Sequence, residues 1–385
     1  MKIGIVGKPN VGKSTFFKAT TLADVQIANY PFTTINPNVG MGYVRTDCVC
    51  KELDVKCNPK NSVCIHQQRF VPVEIIDVAG LVPDAHLGKG LGNQFLDDLR
   101  NADVLIHVID ISGTTNDKGE ETENYDPEND IKFLEDEINL WFYDIIKRNW
   151  SKISGKVKYE RNDLLKEIVS MVSGLGITEH EVKAALGDMT LKDDDELKEF
   201  SFKLREISKK ILLFGNKIDK DKNKNFERLG EKYSIIPGFA DGELALRLAA
   251  KAGVIDYLSG DTDFKILKNL NAGQEKAITF IKDKLKSFPT GTGVQSAINK
   301  CIFEILHYTV VYPVEDEGKF SDSKGNVLPD ARIVRNDSTP VDLAYMIHTD
   351  IGKKFITAVN CKTNMNVSKN YVLKNGDVIK IVAGK

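Results

Sequence analysis

No run of apolar residues in this 385-residue chain approaches the ~20 needed for a helix to span a bilayer, so no membrane protein of helical type is expected. Charge of one sign is also lacking. Lysine and arginine (53) nearly balance aspartate and glutamate (55), for a formal net charge of -2. There is therefore no global pull toward nucleic acid or an anionic surface, and any such contact must come from a local patch. Cysteine is sparse: six in a chain of this size do not make the disulfide framework of a secreted domain. Met1 to Val6 run directly into the first glycine-rich motif, so no signal peptide is expected. A cytoplasmic location, no membrane partner and a monomer are the expectations. The length allows two or three domains, each with its own core.

What the chain does have begins at once. Lys2-Ile3-Gly4-Ile5-Val6 reads as a short buried strand suited to a parallel sheet covered on both faces. It runs into Gly7-Lys8-Pro9-Asn10-Val11-Gly12-Lys13-Ser14 and then the helical stretch Thr15 to Ala19. This is a phosphate loop in its strand–loop–helix setting. Glycines let backbone N–H groups point inward at phosphate oxygens, and the helix adds the positive end of its dipole. Lys13 can reach the β- and γ-phosphates, and the Ser14 hydroxyl can ligate Mg²⁺.

A second strand, Val71 to Ile76, ends in Asp77-Val78-Ala79-Gly80. After a phosphate loop, Asp-x-x-Gly is the other half of a nucleotide switch. Asp77 would hold Mg²⁺ and the Gly80 N–H would sense the γ-phosphate. Between the two lies Asn29-Tyr30-Pro31-Phe32-Thr33-Thr34-Ile35-Asn36-Pro37-Asn38, where a switch threonine belongs. Thr34 is favoured over Thr33 to close over Mg²⁺ when the γ-phosphate is present. After Gly80, where many such enzymes place a glutamine to orient water, stands Leu81. Unassisted hydrolysis should be slow, or another group must position the water. His86 lies in a glycine-punctuated loop, and His107 lies in the apolar strand Val104 to Asp110, where a satisfied core histidine is the simpler reading.

Ile211 to Gly215 is another buried strand, ending in Asn216-Lys217-Ile218-Asp219. A carboxylate at Asp219 can accept both N1–H and N2–H of guanine. Adenine would leave it unpaired, at a cost. Lys217 would lay its stem along the base and Asn216 would brace the loop. A strand at Tyr233 to Pro237 leads to Gly238-Phe239-Ala240, whose Ala240 N–H suits guanine O6.

Taken together, the phosphate loop, Asn29 to Asn38, Asp77 to Val82 and Gly88-Lys89-Gly90-Leu91-Gly92-Asn93-Gln94-Phe95-Leu96 resemble the Obg branch of GTPases, and within it the YchF/Ygr210-like group. The resemblance runs along nearly the whole chain. It implies an α/β P-loop NTPase core with a mostly parallel sheet, a helical insertion, a C-terminal TGS domain of β-grasp type, GTP/GDP and Mg²⁺ as ligands, and work on ribosomes or RNA. Leu81 matches the hydrophobic substitution of the group. Asn10 matches a position that in related GTPases helps bind K⁺ beside the phosphates. Members that prefer ATP have a degenerate base-reading motif, whereas Asn216 to Asp219 is intact here. Phe239-Ala240 stands where relatives read Ser-Ala, so one loop-bracing hydroxyl is missing.

The core is expected over 1–115 and 209–305, interrupted by a helical insertion over 116–208. Asp126-Pro127-Glu128 reads as a helix start. Ile131, Leu134, Ile138, Trp141 and Ile145 follow at helical spacing. Further runs span Leu164 to Val172 and Leu197 to Ile207, and Thr178-Glu179-His180-Glu181 is a capping box. Lys147, Arg148, Lys152, Lys156, Lys158 and Arg161 form a basic stretch, explained equally by a solvated face or an RNA contact. Over 306–385, short strands at Thr309 to Val314, Phe355 to Val359 and Asp377 to Val382 flank a helix at Pro340 to His348. That order suits a β-grasp module, and Asp342-Leu343-Ala344 with Leu373 to Ile379 resembles TGS.

Cys48, Cys50, Cys57 and Cys64, with His66 nearby, fall between the two switch stretches. They could hold Zn²⁺ tetrahedrally, though the spacing is not the paired C-x-x-C of zinc ribbons; reduced thiols or a redox-sensitive pair are the alternatives. Two rivals stand beside a GTP-hydrolysing switch: an ATPase of the same fold, and a nucleotide-gated binding scaffold with little turnover.

Overall fold

The structure, a computed structural model, describes residues 1–22, 38–78, 98–153 and 161–384, without the side chains of 151–153 and 161–163. The expectations for Thr33, Thr34, Gly80, Leu81, His86, Lys156, Lys158 and the run Gly88 to Gly92 lie outside the described residues.

The first sheet has the order β2-β4-β1-β5-β6-β7, with β3 also pairing β4. Its strands are β1 (Lys2–Val6), β2 (Val39–Asp47), β3 (Val63–Ile65), β4 (Gln68–Asp77), β5 (Val104–Asp110), β6 (Ile211–Asn216) and β7 (Ile235–Pro237). From β4 to β7 the pairing is parallel. All of β5 is buried, as a central strand covered on both faces must be. Register sets Ile5 beside Asp77 on one side, and Val6 beside His107 on the other. The carboxyl ends of β1, β4, β5 and β6 therefore share one rim, the place where open α/β sheets bind ligands.

Two elements differ from expectation. β4 starts at Gln68 rather than Val71 because the unforeseen strand β2 pairs antiparallel along its length. β7 starts at Ile235 rather than Tyr233, because the Tyr233 N–H is used by Leu229 O (2.8 Å) and its hydroxyl by Glu128 (3.2 Å).

Helices Glu128–Ile153, Arg161–Val172, Glu179–Leu186 and Asp194–Ser208 lie between β5 and β6 in the chain. Asp126 accepts the Glu128 N–H at 3.0 Å, starting the first. Both bonds of the Thr178/Glu181 capping box are present. Leu134, Ile138, Trp141 and Phe142 pack into one core with Val6, Ile76 and Leu105 of the sheet. In the basic stretch, Lys147 pairs with Asp194 at 2.9 Å.

A two-stranded ribbon joins β8 (Ile255–Asp256) to β9 (Lys265–Ile266). The C-terminal sheet has the order β11-β10-β14-β12-β13, built from β10 (Tyr308–Val314), β11 (Arg332–Arg335), β12 (Phe355–Asn360), β13 (Met365–Val367) and β14 (Val378–Ala383). Helix Pro340–Ile347, boxed by Thr339 and Asp342, covers a core of Val311, Val334, Leu343, Ala358 and Ile379. Alternation along β10 sends Val310, Tyr312 and Val314 the other way, into the core that holds Val44, Val71 and Val73. The two sheets thus share apolar packing.

Candidate functional site

Two glycines fix the course of the phosphate loop. Gly7 has φ +147°, and a Cβ there would stand 2.3 Å from Val108 O. Gly12 has φ +99°, and a Cβ there would stand 2.2 Å from Asn216 Nδ2. Only glycine fits either position. Helix α1 (Lys13–Thr21) follows, and no side chain among the described residues caps its first turn, which leaves its N-terminal N–H groups available to an anion. Arg247 holds the other end of this helix, donating to the carbonyls of Ala19, Thr20 and, at 2.6 Å, Leu22.

Lys13 Nζ donates to Lys8 O at 3.0 Å, folded back over the loop. Burial lowers its pKa, opposed by the nearby charge of Asp77. Burial likewise raises the Asp77 carboxyl, opposed by Lys13. Each carries a desolvation penalty that a phosphate chain (for Lys13) and a divalent cation (for Asp77) would relieve. Ser14, exposed at the start of α1, adds a hydroxyl. This donor set fits a hard cation such as Mg²⁺.

Neighbours unforeseen from the sequence grip the loop from outside. Lys8 is buried, with Nζ 2.8 Å from Thr115 O and 2.8 Å from Asp130 Oδ2, over the Tyr125 ring. The Asn10 amide donates to Gly119 O at 2.8 Å.

At the end of β6, Asn216 is a clamp. Its Nδ2 donates to Val11 O at 2.8 Å, and its Oδ1 accepts the Ala240 N–H at 3.1 Å. Lys217, at φ 61°, sends Nζ to the buried Asp110 carboxylate at 2.9 Å. Asp110 also accepts from Ser112, Thr114 and Thr115. Asp219 is half-buried, its carboxyl raised by burial, and no side chain among the described residues pairs with that carboxylate. The phosphate loop, Asp77 and Asp219 thus line one rim of one sheet.

Comparison with known proteins places this architecture. A family model described as "Obg-like GTPase YGR210-like, G4 motif-containing domain" matches residues 214–316, one described as "50S ribosome-binding GTPase" matches 2–139, and "TGS domain" matches 324–383. An uncharacterized GTP-binding protein of Methanocaldococcus jannaschii is 50% identical, over 99% of this chain and 98% of its own. The crystal structure of a GTP-binding protein from Pyrococcus horikoshii superposes with a TM-score of 0.80 at 37% identity, covering 100% of both chains. This chain belongs to the YchF/YGR210-like group of Obg-like P-loop GTPases. A more distant relative in Buchnera aphidicola, titled "Ribosome-binding ATPase YchF", is 26% identical over 98% of both chains.

Two expectations need correction in this family member. The Ala240 N–H is committed to Asn216 Oδ1, so it is not a free donor for guanine O6; Ala240 instead opens the helix Ala240–Lys251. His107 is buried but not satisfied: its Nδ1 has no hydrogen-bond partner among the described residues. Burial, reinforced by Lys13 and Lys8, pushes its pKa down to about 3, so it stays neutral and is no proton donor. The four cysteines named from the sequence, Cys48, Cys50, Cys57 and Cys64, do come together, and the nearby His66 stands exposed in the turn joining β3 to β4.

Proposed function

We propose that this chain binds and hydrolyses GTP as a switch, with GDP as the resting ligand. Gly7, Lys8, Pro9, Asn10, Val11, Gly12, Lys13, Ser14 and Thr15 would hold the phosphates. Ser14, Asp77 and Thr34 would hold Mg²⁺, which neutralises charge on the β- and γ-phosphates. Asn10 spends its amide nitrogen on Gly119, leaving its oxygen as the atom K⁺ would use. The observation that carries the guanine reading is Asp219: a desolvated carboxylate without a side-chain partner, at the rim reached by the phosphate loop. Two N–H donors on one base edge would relieve it, and adenine has no such pair.

The same reading makes the C-terminal β-grasp sheet a docking module for ribosome or RNA. Support comes from the family model named for 50S binding and from relatives titled ribosome-binding. One observation favours the ATPase rival: the Ala240 N–H, which would select O6, is already used.

Displacement of fluorescent GDP by GTP and by ATP, in wild type and Asp219→Asn, separates the two. Far stronger displacement by GTP, lost in the variant, supports the switch. Equal competition by ATP transfers the assignment to an ATPase.

A further inference from the structure

The stretch joining β2 to β3 contains no helix or strand, yet it brings three thiols to a fourth in β3. Cys48 and Cys50 follow the end of β2, Cys57 lies in the loop, and Cys64 is in β3. All four are free, and their sulfurs lie within 4.8 Å of one another. Cys48 and Cys57 are 3.9 Å apart, Cys50 and Cys64 3.8 Å. With bonds of about 2.3 Å, a tetrahedral zinc thiolate has sulfur–sulfur edges of about 3.8 Å.

Arg69 is the independent observation. It is cross-strand from Cys64 and its side chain is fully buried. It donates to Ser62 Oγ at 3.1 Å and Leu328 O at 2.9 Å, and it lies over the Tyr312 ring. Its Nε has no hydrogen-bond partner, and no carboxylate pairs with it among the described residues. A buried guanidinium without an anion is costly. Four thiolates around a dication carry a net charge of about -2 and supply one beside it.

The loop also bridges the two sheets. Asn58 N–H donates to Val327 O at 3.1 Å and Lys60 N–H to Pro329 O at 2.7 Å. In return, Val327 and Ala331 N–H groups donate to the side chains of Asn58 (2.6 Å) and Asn61 (2.8 Å). All these contacts fall between Cys57 and Cys64.

We propose that Cys48, Cys50, Cys57 and Cys64 bind one Zn²⁺, and that this knot fastens the nucleotide-binding sheet to the C-terminal sheet through the loop 58–61. The site is structural. It has four protein ligands and no open position for catalysis. A loop too short for its own core then keeps the fixed shape that docks residues 326–331. β2 and β4, which bracket the knot, are the strands adjoining the two switch stretches of the sequence, so the metal would hold the C-terminal module at a set place on them.

The test uses the full chain, purified under reducing conditions without added metal. Elemental analysis should find about one zinc per chain. Replacement by Co²⁺ should give the thiolate charge-transfer and tetrahedral ligand-field bands. A chelator should make the four thiols reactive to a disulfide reagent. It should also speed hydrogen exchange at 58–61 and 326–331, while exchange at 7–14 stays unchanged. Cys57→Ser with Cys64→Ser should lose the metal; should that protein fail to fold, the wild-type metal content and exchange data still decide. Absence of metal, iron in its place, or thiols equally reactive with and without chelator would overturn the zinc site. Zinc whose removal leaves exchange at 326–331 unchanged would overturn the knot.

Discussion

Lys8, inside the phosphate loop, forms a buried ion pair with Asp130, in the first turn of helix Glu128–Ile153, at 2.8 Å. The helical segment is therefore not a passive insertion. Tyr125 completes the contact, its hydroxyl on Asp130 Oδ1 at 2.9 Å and its ring under the Lys8 ammonium. Movement of the loop on nucleotide exchange would act directly on the start of this helix.

Asp130→Ala strands the Lys8 ammonium in a dry site. Such a change costs about 3–5 kcal/mol, whereas replacing both partners by apolar groups is often near neutral. Denaturant titration should show the single variant much less stable and Lys8→Met with Asp130→Leu recovering most of the loss. GDP affinity should fall in both, because the loop loses its outer anchor.

The Asp110–Lys217 pair sets an acid limit. Burial alone would raise the Asp110 carboxyl, but hydrogen bonds from Ser112 and Lys217 outweigh it and hold the pKa below the ordinary 3.8. A carboxyl depressed in the folded state stabilises above its unfolded value, and that contribution is lost as pH falls through the lower folded value. Lys217→Met should shift acid unfolding, followed by circular dichroism, to higher pH. At neutral pH the cost should be about 1–3 kcal/mol, since the hydroxyls of Ser112, Thr114 and Thr115 remain.

Asn216→Ala removes two buried bonds, to Val11 O and from the Ala240 N–H. The loss of about 1–3 kcal/mol corresponds to a roughly ten- to hundredfold weaker hold on nucleotide. The measurement is GDP equilibrium binding, and ATP affinity should fall as well, because the clamp holds the phosphate loop through Val11 O.

The parts of the fold that the sequence made legible are those whose signal is local. β1, β5 and β6 are mostly apolar runs, the phosphate loop is a fixed pattern, and Thr178 with Glu181 reads as a cap at fixed spacing. β2 escaped notice because Val39–Asp47 mixes two glycines with Arg45 and Asp47, and only pairing with β4 makes it a strand. Asp110 and Asp130 carry no local mark, since their partners Lys217 and Lys8 lie far along the chain. An acid closing a buried strand was the one available signal for Asp110. The cysteine spacing was visible, but the sulfur tetrahedron depends on how β2 and β3 fold onto β4.

Asp219 ties base recognition to pH. Burial raises its carboxyl above the ordinary 3.8. Guanine donors would favour the ionised form, so the pKa should drop when nucleotide binds and the free protein should hold the proton more tightly. GDP affinity should then decline as pH falls toward the free-state value, with proton uptake opposing binding, and the decline should begin above the range of an exposed aspartate. Isothermal calorimetry in buffers of different ionisation heat would register proton release on GDP binding in that window. Asp219→Asn should abolish both the release and the slope while weakening GDP. A variant that weakens GDP but keeps the slope would assign the titration to Asp77, whose carboxyl burial also raises. Adding Mg²⁺ in excess would then flatten the wild-type slope as well, because a bound cation holds that carboxylate ionised across the same range.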